Sequence, residues 1–233
     1  MIRIICECHI ILFIILLFFI NVINCDWMFQ TEQKWDQQWK SGAWDYMDKV
    51  AVERSKIAII GGVFAHIYTN ANASVLDVGC GEGAMSDFLS EGQRQHYLGV
   101  DLSKEAIVNA KLKRPKLKFL HSGVYQFVPH HQFDIIVFSD VLYYVEHEKI
   151  LQQYSKYLTP SGIMILSIFH TTEKLMYENI FNTARAIYEK IDEVDVSGIT
   201  RKKAHSNQEE IVKTAFHIEV YKKRNGTISI IPK

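Results

Sequence analysis

Three glycines, Gly79, Gly81 and Gly83, alternate with Cys80 and Glu82 directly after the short apolar run Val75-Leu76-Asp77-Val78. An apolar strand that stops at such a loop brings backbone close to a nucleotide-like ligand, because the chain turns tightly and no Cβ stands in the way. A pyrophosphate could sit against a loop of this kind at a helix N-terminus, and Gly79, Gly81 and Ala84 satisfy the dinucleotide spacing. Asp77 inside the run and Glu82 inside the loop suit a different ligand, one that carries positive charge. About twenty residues on, the run Tyr97-Leu98-Gly99-Val100 ends at Asp101. A carboxylate at that place accepts the hydroxyls of a ribose, and Ser103 is placed to cap the next helix.

The elements that must hold these residues alternate. Asp48–Ile67 has helical apolar spacing, weakened near its end by Gly61-Gly62. Strands are predicted at 75–78, 97–100, 117–120, 134–138 and 163–169. Helices are predicted at 82–89, 104–111, 146–158 and 173–191. Strand–helix alternation implies a parallel sheet with right-handed crossovers. Phe216–Tyr221 and Thr227–Ile231, separated by a segment with Asn225-Gly226, read as a terminal hairpin. The stretch 191–214 has no clear period, and 207–214 reads as a short helix.

The string Leu-Asp-Val-Gly-Cys-Gly-Glu-Gly, followed by the acid-terminated strand at Asp101, resembles the first two motifs of the class I S-adenosylmethionine-dependent methyltransferases. Phe133–Val145 and Leu158–Phe169 are similar to that family's later motifs in their order. The resemblance implies an α/β, Rossmann-like, seven-stranded sheet, mostly parallel, with an antiparallel C-terminal hairpin strand and helices on both faces. It implies S-adenosyl-L-methionine as co-substrate, with Asp77 reading the methionine ammonium. Gly79, Cys80 and Gly81 would lie along the ligand. Asp101 would hold the ribose, Leu102 would pack on the adenine, and the backbone of Gly123 and Val124 would read the adenine edge. Many family members carry an acid where this chain has Val124.

Ser139, Asp140 and Tyr143 should border the reacting centre, at the carboxyl end of a strand. Tyr143-Tyr144 stands where many relatives carry Glu-His, a variant similar to the nodulation-type N-methyltransferases. Asp140, His147 and His170 are candidate bases, and Tyr143 could orient the acceptor. His130-His131 reads as a surface turn. No histidine pair has metal-ligand spacing, so no metal is expected. The function implied is methyl transfer by direct displacement to an oxygen or nitrogen of a small-molecule acceptor. A nicotinamide oxidoreductase and a non-catalytic cofactor-binding or membrane-tethered protein are the rival readings.

The 233 residues suffice for one α/β domain with a sizeable core. Lys+Arg and Asp+Glu balance at 26 each, which argues against a nucleic-acid partner held by bulk charge. Three of the four cysteines lie in the first 25 residues, leaving Cys80 without a disulfide or zinc partner. Residues 10–20 form an apolar run. Its eleven residues fall short of the roughly 20 that a membrane helix needs and suit a signal peptide, an anchor in contact with a membrane, or a stretch upstream of a start at Met28. A cytoplasmic catalytic domain is expected, anchored or exported if that segment is real. The expected divisions are residues 1–25 as this hydrophobic segment, 26–70 as a helical cap rich in tryptophan (Trp27, Trp35, Trp39, Trp44), and 71–233 as the methyl-donor domain. The cap reads either as an anchor for the N-terminal segment or as a flap over the ligand. Oligomeric state is left open.

Overall fold

Apolar strands separated by amphipathic helices can bury both faces of a sheet only if the helices divide between the faces. The computed structural model, which describes residues 30–170, 174–203 and 209–224, has this arrangement. Strands β1 (Val75–Val78), β2 (Tyr97–Asp101), β3 (Lys118–His121), β4 (Phe133–Ser139) and β5 (Leu158–Phe169) run parallel. Strands β6 (Tyr188–Lys203) and β7 (Glu209–Lys223) form an antiparallel hairpin, and β7 pairs antiparallel with β5. The order across the sheet is β3-β2-β1-β4-β5-β7-β6. The sheet is therefore seven-stranded and Rossmann-like, mostly parallel, with one strand reversed.

Helix α1 (Glu32–Lys40) precedes α2 (Ala51–Ile59), which continues through a π-helical turn at Ile60–Phe64 into a last turn at Ala65–Ile67. Then come α3 (Glu91–Gln95), α4 (Lys104–Lys113), α5 (His147–Ser155) and α6 (Lys174–Ile187). One core joins Val75, Ile135, Ile163 and Ile165 of the sheet to Ile57, Ile60 and Phe64 of α2 and its continuation, and to Ile107 and Ala110 of α4. The other joins Leu76, Val78 and Ile136 to Ile150, Leu151 and Tyr154 of α5 and to Ile180, Phe181 and Ala184 of α6.

Two expectations are corrected. The helix expected from Glu82 is a 3-10 turn at Ala84–Phe88, because Gly83 at φ 78° breaks its start; α3 begins afresh at Ser90, whose side chain and Gln93 form a capping box. The helix weakened at Gly61-Gly62 takes a π-turn there, and a Cβ on Gly61 would stand 2.9 Å from the Met85 carbonyl oxygen. The hairpin pairs Tyr188–Lys203 with Glu209–Lys223, so residues 209–214, expected as a helix, are strand. The strand expected at Thr227–Ile231 lies outside the described residues, as does Trp27. The segment after 187 hid its strand because β6 is a sheet edge carrying Glu189, Asp192, Glu193 and Asp195. Charges on an edge strand guard against pairing with other chains and blur the apolar alternation.

On the face away from α2, His217 of β7 bonds Asp195 at 2.6 Å and Glu219 at 3.0 Å, and the Glu219 carboxylate is also held by Arg185 of α6 and by Tyr221. This network fastens the hairpin to α6. Among the described residues no helix is long and apolar enough to cross a membrane; residues 10–20 lie outside them.

Candidate active site

The parallel strands end at one edge of the sheet, and β1 and β4 lie side by side where the strand order reverses direction. Ligands of open α/β sheets bind at such a switch point. A cavity of about 220 Å³ lies there, walled by the loops after β1, β2, β3 and β4 and by the segment that precedes α2.

The glycine loop forms its floor. Gly79, Gly81 and Gly83 all have positive φ. A Cβ on Gly79 would stand 2.3 Å from Val141 Cγ2, and one on Gly81 would stand 3.0 Å from the Trp39 ring. The amides of Gly79 and Cys80 donate to the Val100 carbonyl, which stitches the loop to β2. Asp77, Gly79, Cys80, Gly81, Asp101, Leu102, Val124, Ser139, Asp140 and Tyr143 all line the cavity.

Asp77 is buried and accepts a hydrogen bond from the Tyr97 hydroxyl at 2.8 Å. Burial pushes its pKa up to about 7 against the opposing pull of that bond. Asp101 accepts from the amides of Gly81 and Ser103, each at 2.8 Å, so the carboxylate is fixed between loop and helix cap. Burial also raises the Asp101 carboxyl pKa and pushes the Cys80 thiol well up, which leaves Cys80 a lining group and not a nucleophile.

Three expected residues lie elsewhere. Gly123 does not line the cavity: its carbonyl accepts from Gln126 and Phe127 in a turn, and Ser122 takes the wall position beside Val124. His170 is exposed, outside the lining, with its ring 5.3 Å from Tyr177. His147 is likewise absent from the wall, and burial lowers its pKa.

Asp140 is on the wall but is not a free base. Its Oδ1 accepts from the Phe169 amide at 2.7 Å, and its Oδ2 accepts from Lys56 Nζ at 2.5 Å. The Lys56 side chain is 1% exposed, also donates to Glu53 at 3.0 Å, and lies 4.1 Å from the centre of the Phe216 ring. Burial alone would lower the lysine pKa, but Asp140 and Glu53 more than offset it and hold the pKa above the ordinary value. Sequence reasoning did not find Lys56. The signal was present: Lys56 falls four residues after Val52 on the buried stripe of its helix, a place where an unpaired lysine does not fit.

The tryptophan segment closes the cavity. Trp35, Trp39 and Trp44 line it together with Met47, Asp48, Tyr143 and Tyr144. Asp36 on α1 accepts from the Ser103 hydroxyl at 2.6 Å and from the Glu105 amide at 3.2 Å, which pins the segment to the start of α4. Trp39 stands over Gly81 of the glycine loop, and Trp35 packs edge to face on Tyr144. The indole N–H of Trp44 is buried with no hydrogen-bond partner among the described residues.

Residues 69–219, well over half the chain, match the methyltransferase domain family. The chain belongs to the class I S-adenosylmethionine-dependent methyltransferases. The methyltransferase fold recurs in solved structures. The N-methyltransferase NodS from Bradyrhizobium japonicum WM9, in complex with S-adenosyl-L-homocysteine, superposes with a TM-score of 0.59 at 17% identity, covering 77% of this chain and 91% of that one. A TehB-like methyltransferase from Corynebacterium glutamicum gives 0.53 at 17% identity, with 83% and 98% covered. In sequence, the phosphoethanolamine N-methyltransferase of Plasmodium falciparum is 28% identical over 127 residues, 51% of this chain and 47% of that protein. This chain thus spans less than half the length of that relative.

Proposed function

We propose that this chain transfers the methyl group of S-adenosylmethionine to an oxygen or nitrogen of a small-molecule acceptor by direct displacement. The observation that carries the reading is the wall of the cavity. A positive-φ glycine cradle and two fixed carboxylates, the buried Asp77 and the half-buried Asp101, meet at the switch point. The family supplies the chemistry: a sulfonium donor that is already activated.

The residues fit that ligand. A ligand bearing an ammonium and a sulfonium suits walls on which, among the described residues, Asp and Glu are present and Lys, Arg and His are absent. A pyrophosphate suits them poorly, which counts against the nicotinamide reading. We assign Asp77 to the ammonium, Asp101 to the ribose, and Leu102, Ser122 and Val124 to the adenine side. Gly123 supports that side from behind. Ser139 and Tyr143 face the reacting end. Asp140, held by Lys56 and the Phe169 amide, positions this end. The protein's main contribution is alignment of donor and acceptor, which is worth about 7–11 kcal/mol in well-oriented reactions.

Calorimetric titration with adenosylhomocysteine tests the reading. Binding is expected for the wild-type chain and is expected to collapse in Asp101→Ala. Absence of binding to the wild type overturns it.

A further inference from the structure

One part of the cavity wall differs in character from the glycine loop. Tyr143 and Tyr144 pack edge to face at 4.4 Å, Trp35 stands 5.0 Å from Tyr144, and Trp44 stands 5.8 Å from Trp35. These four rings form a continuous wall beside Asp48 and Asp140. Ring faces attract cations through their quadrupole, most strongly where water is excluded.

No Lys, Arg or His among the described residues lines this cavity. Lys56, the buried cation behind it, is held by Asp140 and Glu53. A phosphate entering here would find carboxylates and no positive partner. A hydroxyl acceptor needs a base, and Asp140, the carboxylate that follows β4 beside the rings, is held by Lys56 and the Phe169 amide. Burial holds the Tyr143 phenol pKa well above its usual value, so it serves as a donor.

Resting on the methyltransferase reading, we infer that the acceptor is a cationic amine without a phosphate group, held against Trp35, Trp44, Tyr143 and Tyr144 and methylated on nitrogen. The acceptor class thereby differs from the one in the name of the Plasmodium relative. The amine binds as an ammonium and loses a proton to water. Its lone pair then forms the new N–C bond while the C–S bond breaks and that electron pair stays on sulfur. Positive charge passes from sulfur to the methylated nitrogen, which still faces the rings.

Tryptophan fluorescence of the full chain, read with and without saturating adenosylhomocysteine, tests the inference with three probes: choline, its neutral isostere with carbon in place of nitrogen, and phosphocholine. Choline should bind about tenfold more tightly than the isostere, as several cation–π contacts allow, and more tightly than phosphocholine. Trp35→Leu should erase choline's advantage over the isostere and Trp35→Phe should keep it, each read against that variant's own adenosylhomocysteine affinity. Equal binding of the isostere, tighter binding of phosphocholine, or no binding of any probe overturns the inference. Failure of adenosylhomocysteine to bind is a separate result that sinks the function reading, since the probes are also read on the free protein.

Discussion

Lys56 on α2 reaches Asp140 after β4, with Nζ 2.5 Å from Oδ2 across 84 residues of sequence. The pair ties α2 to the loop after β4 on the cavity wall. It also explains the Asp140 backbone, the one non-glycine residue with positive φ (58°) among those described. A left-handed residue costs roughly 1–2 kcal/mol, and here the bonds from Lys56 and from the Phe169 amide hold it.

Lys56→Met should destabilise the protein by about 3–5 kcal/mol, because it leaves the buried Glu53 and the half-buried Asp140 without their shared cation. Urea unfolding measures the loss. Adding Asp140→Asn to Lys56→Met should recover part of it, since one stranded charge is gone. A double variant less stable by the sum of the two single losses would show that the residues do not act as a pair.

Gly81→Ala should cost about 1–2 kcal/mol of stability from its φ of +53° alone. Its larger effect should be on adenosylhomocysteine binding, because the new methyl meets the Trp39 ring at 3.0 Å and pushes the roof off the loop. Calorimetry and thermal unfolding on the same variant separate the two effects. Unchanged affinity would mean that Trp39 does not help close the site.

The fold was legible where the sequence repeats one physical pattern. Buried parallel strands such as Ile135–Phe138 are apolar on both faces, and the glycine loop needs residues that accept positive φ. The hairpin's partner was not legible, because β6 is an edge with charges on its open face. The cavity wall near the loop could be read from Asp77 and Asp101, whose roles depend on neighbours close in sequence. Lys56, Asp36 and the ring wall could not, because their partners lie 84, 67 and 109 residues away: Asp140, Ser103 and, for Trp35, Tyr144. Spacing along a chain carries no sign of such pairs.

Asp36→Ala should loosen the roof without unfolding the sheet. Asp36 holds α1 through Ser103 and Glu105, and α1 has no buried residue of its own. Faster dissociation of adenosylhomocysteine is the expected outcome, read by stopped-flow fluorescence of the roof tryptophans, with the unfolding midpoint of the free protein little changed. A dissociation rate equal to that of the wild type would show that α1 is only an anchor.

Asp77 gives the free protein a pH dependence of a definite sign. Its carboxyl titrates at 3.8 unfolded and at about 7 folded, raised by burial. The folded state therefore binds more protons than the unfolded chain between those values, and stability falls as pH rises through that window. The contribution is fully present below 3.8 and is lost above about 7. Asp77→Asn keeps an acceptor for the Tyr97 hydroxyl and has no charge to bury, so its stability should fall less over the same range. A ligand ammonium placed beside Asp77 would favour the carboxylate. The stabilisation by adenosylhomocysteine should then grow with pH in the wild type and stay flat in Asp77→Asn. Thermal unfolding of both proteins, free and bound, across that window measures all four curves. Parallel curves for the two proteins would remove Asp77 from both roles.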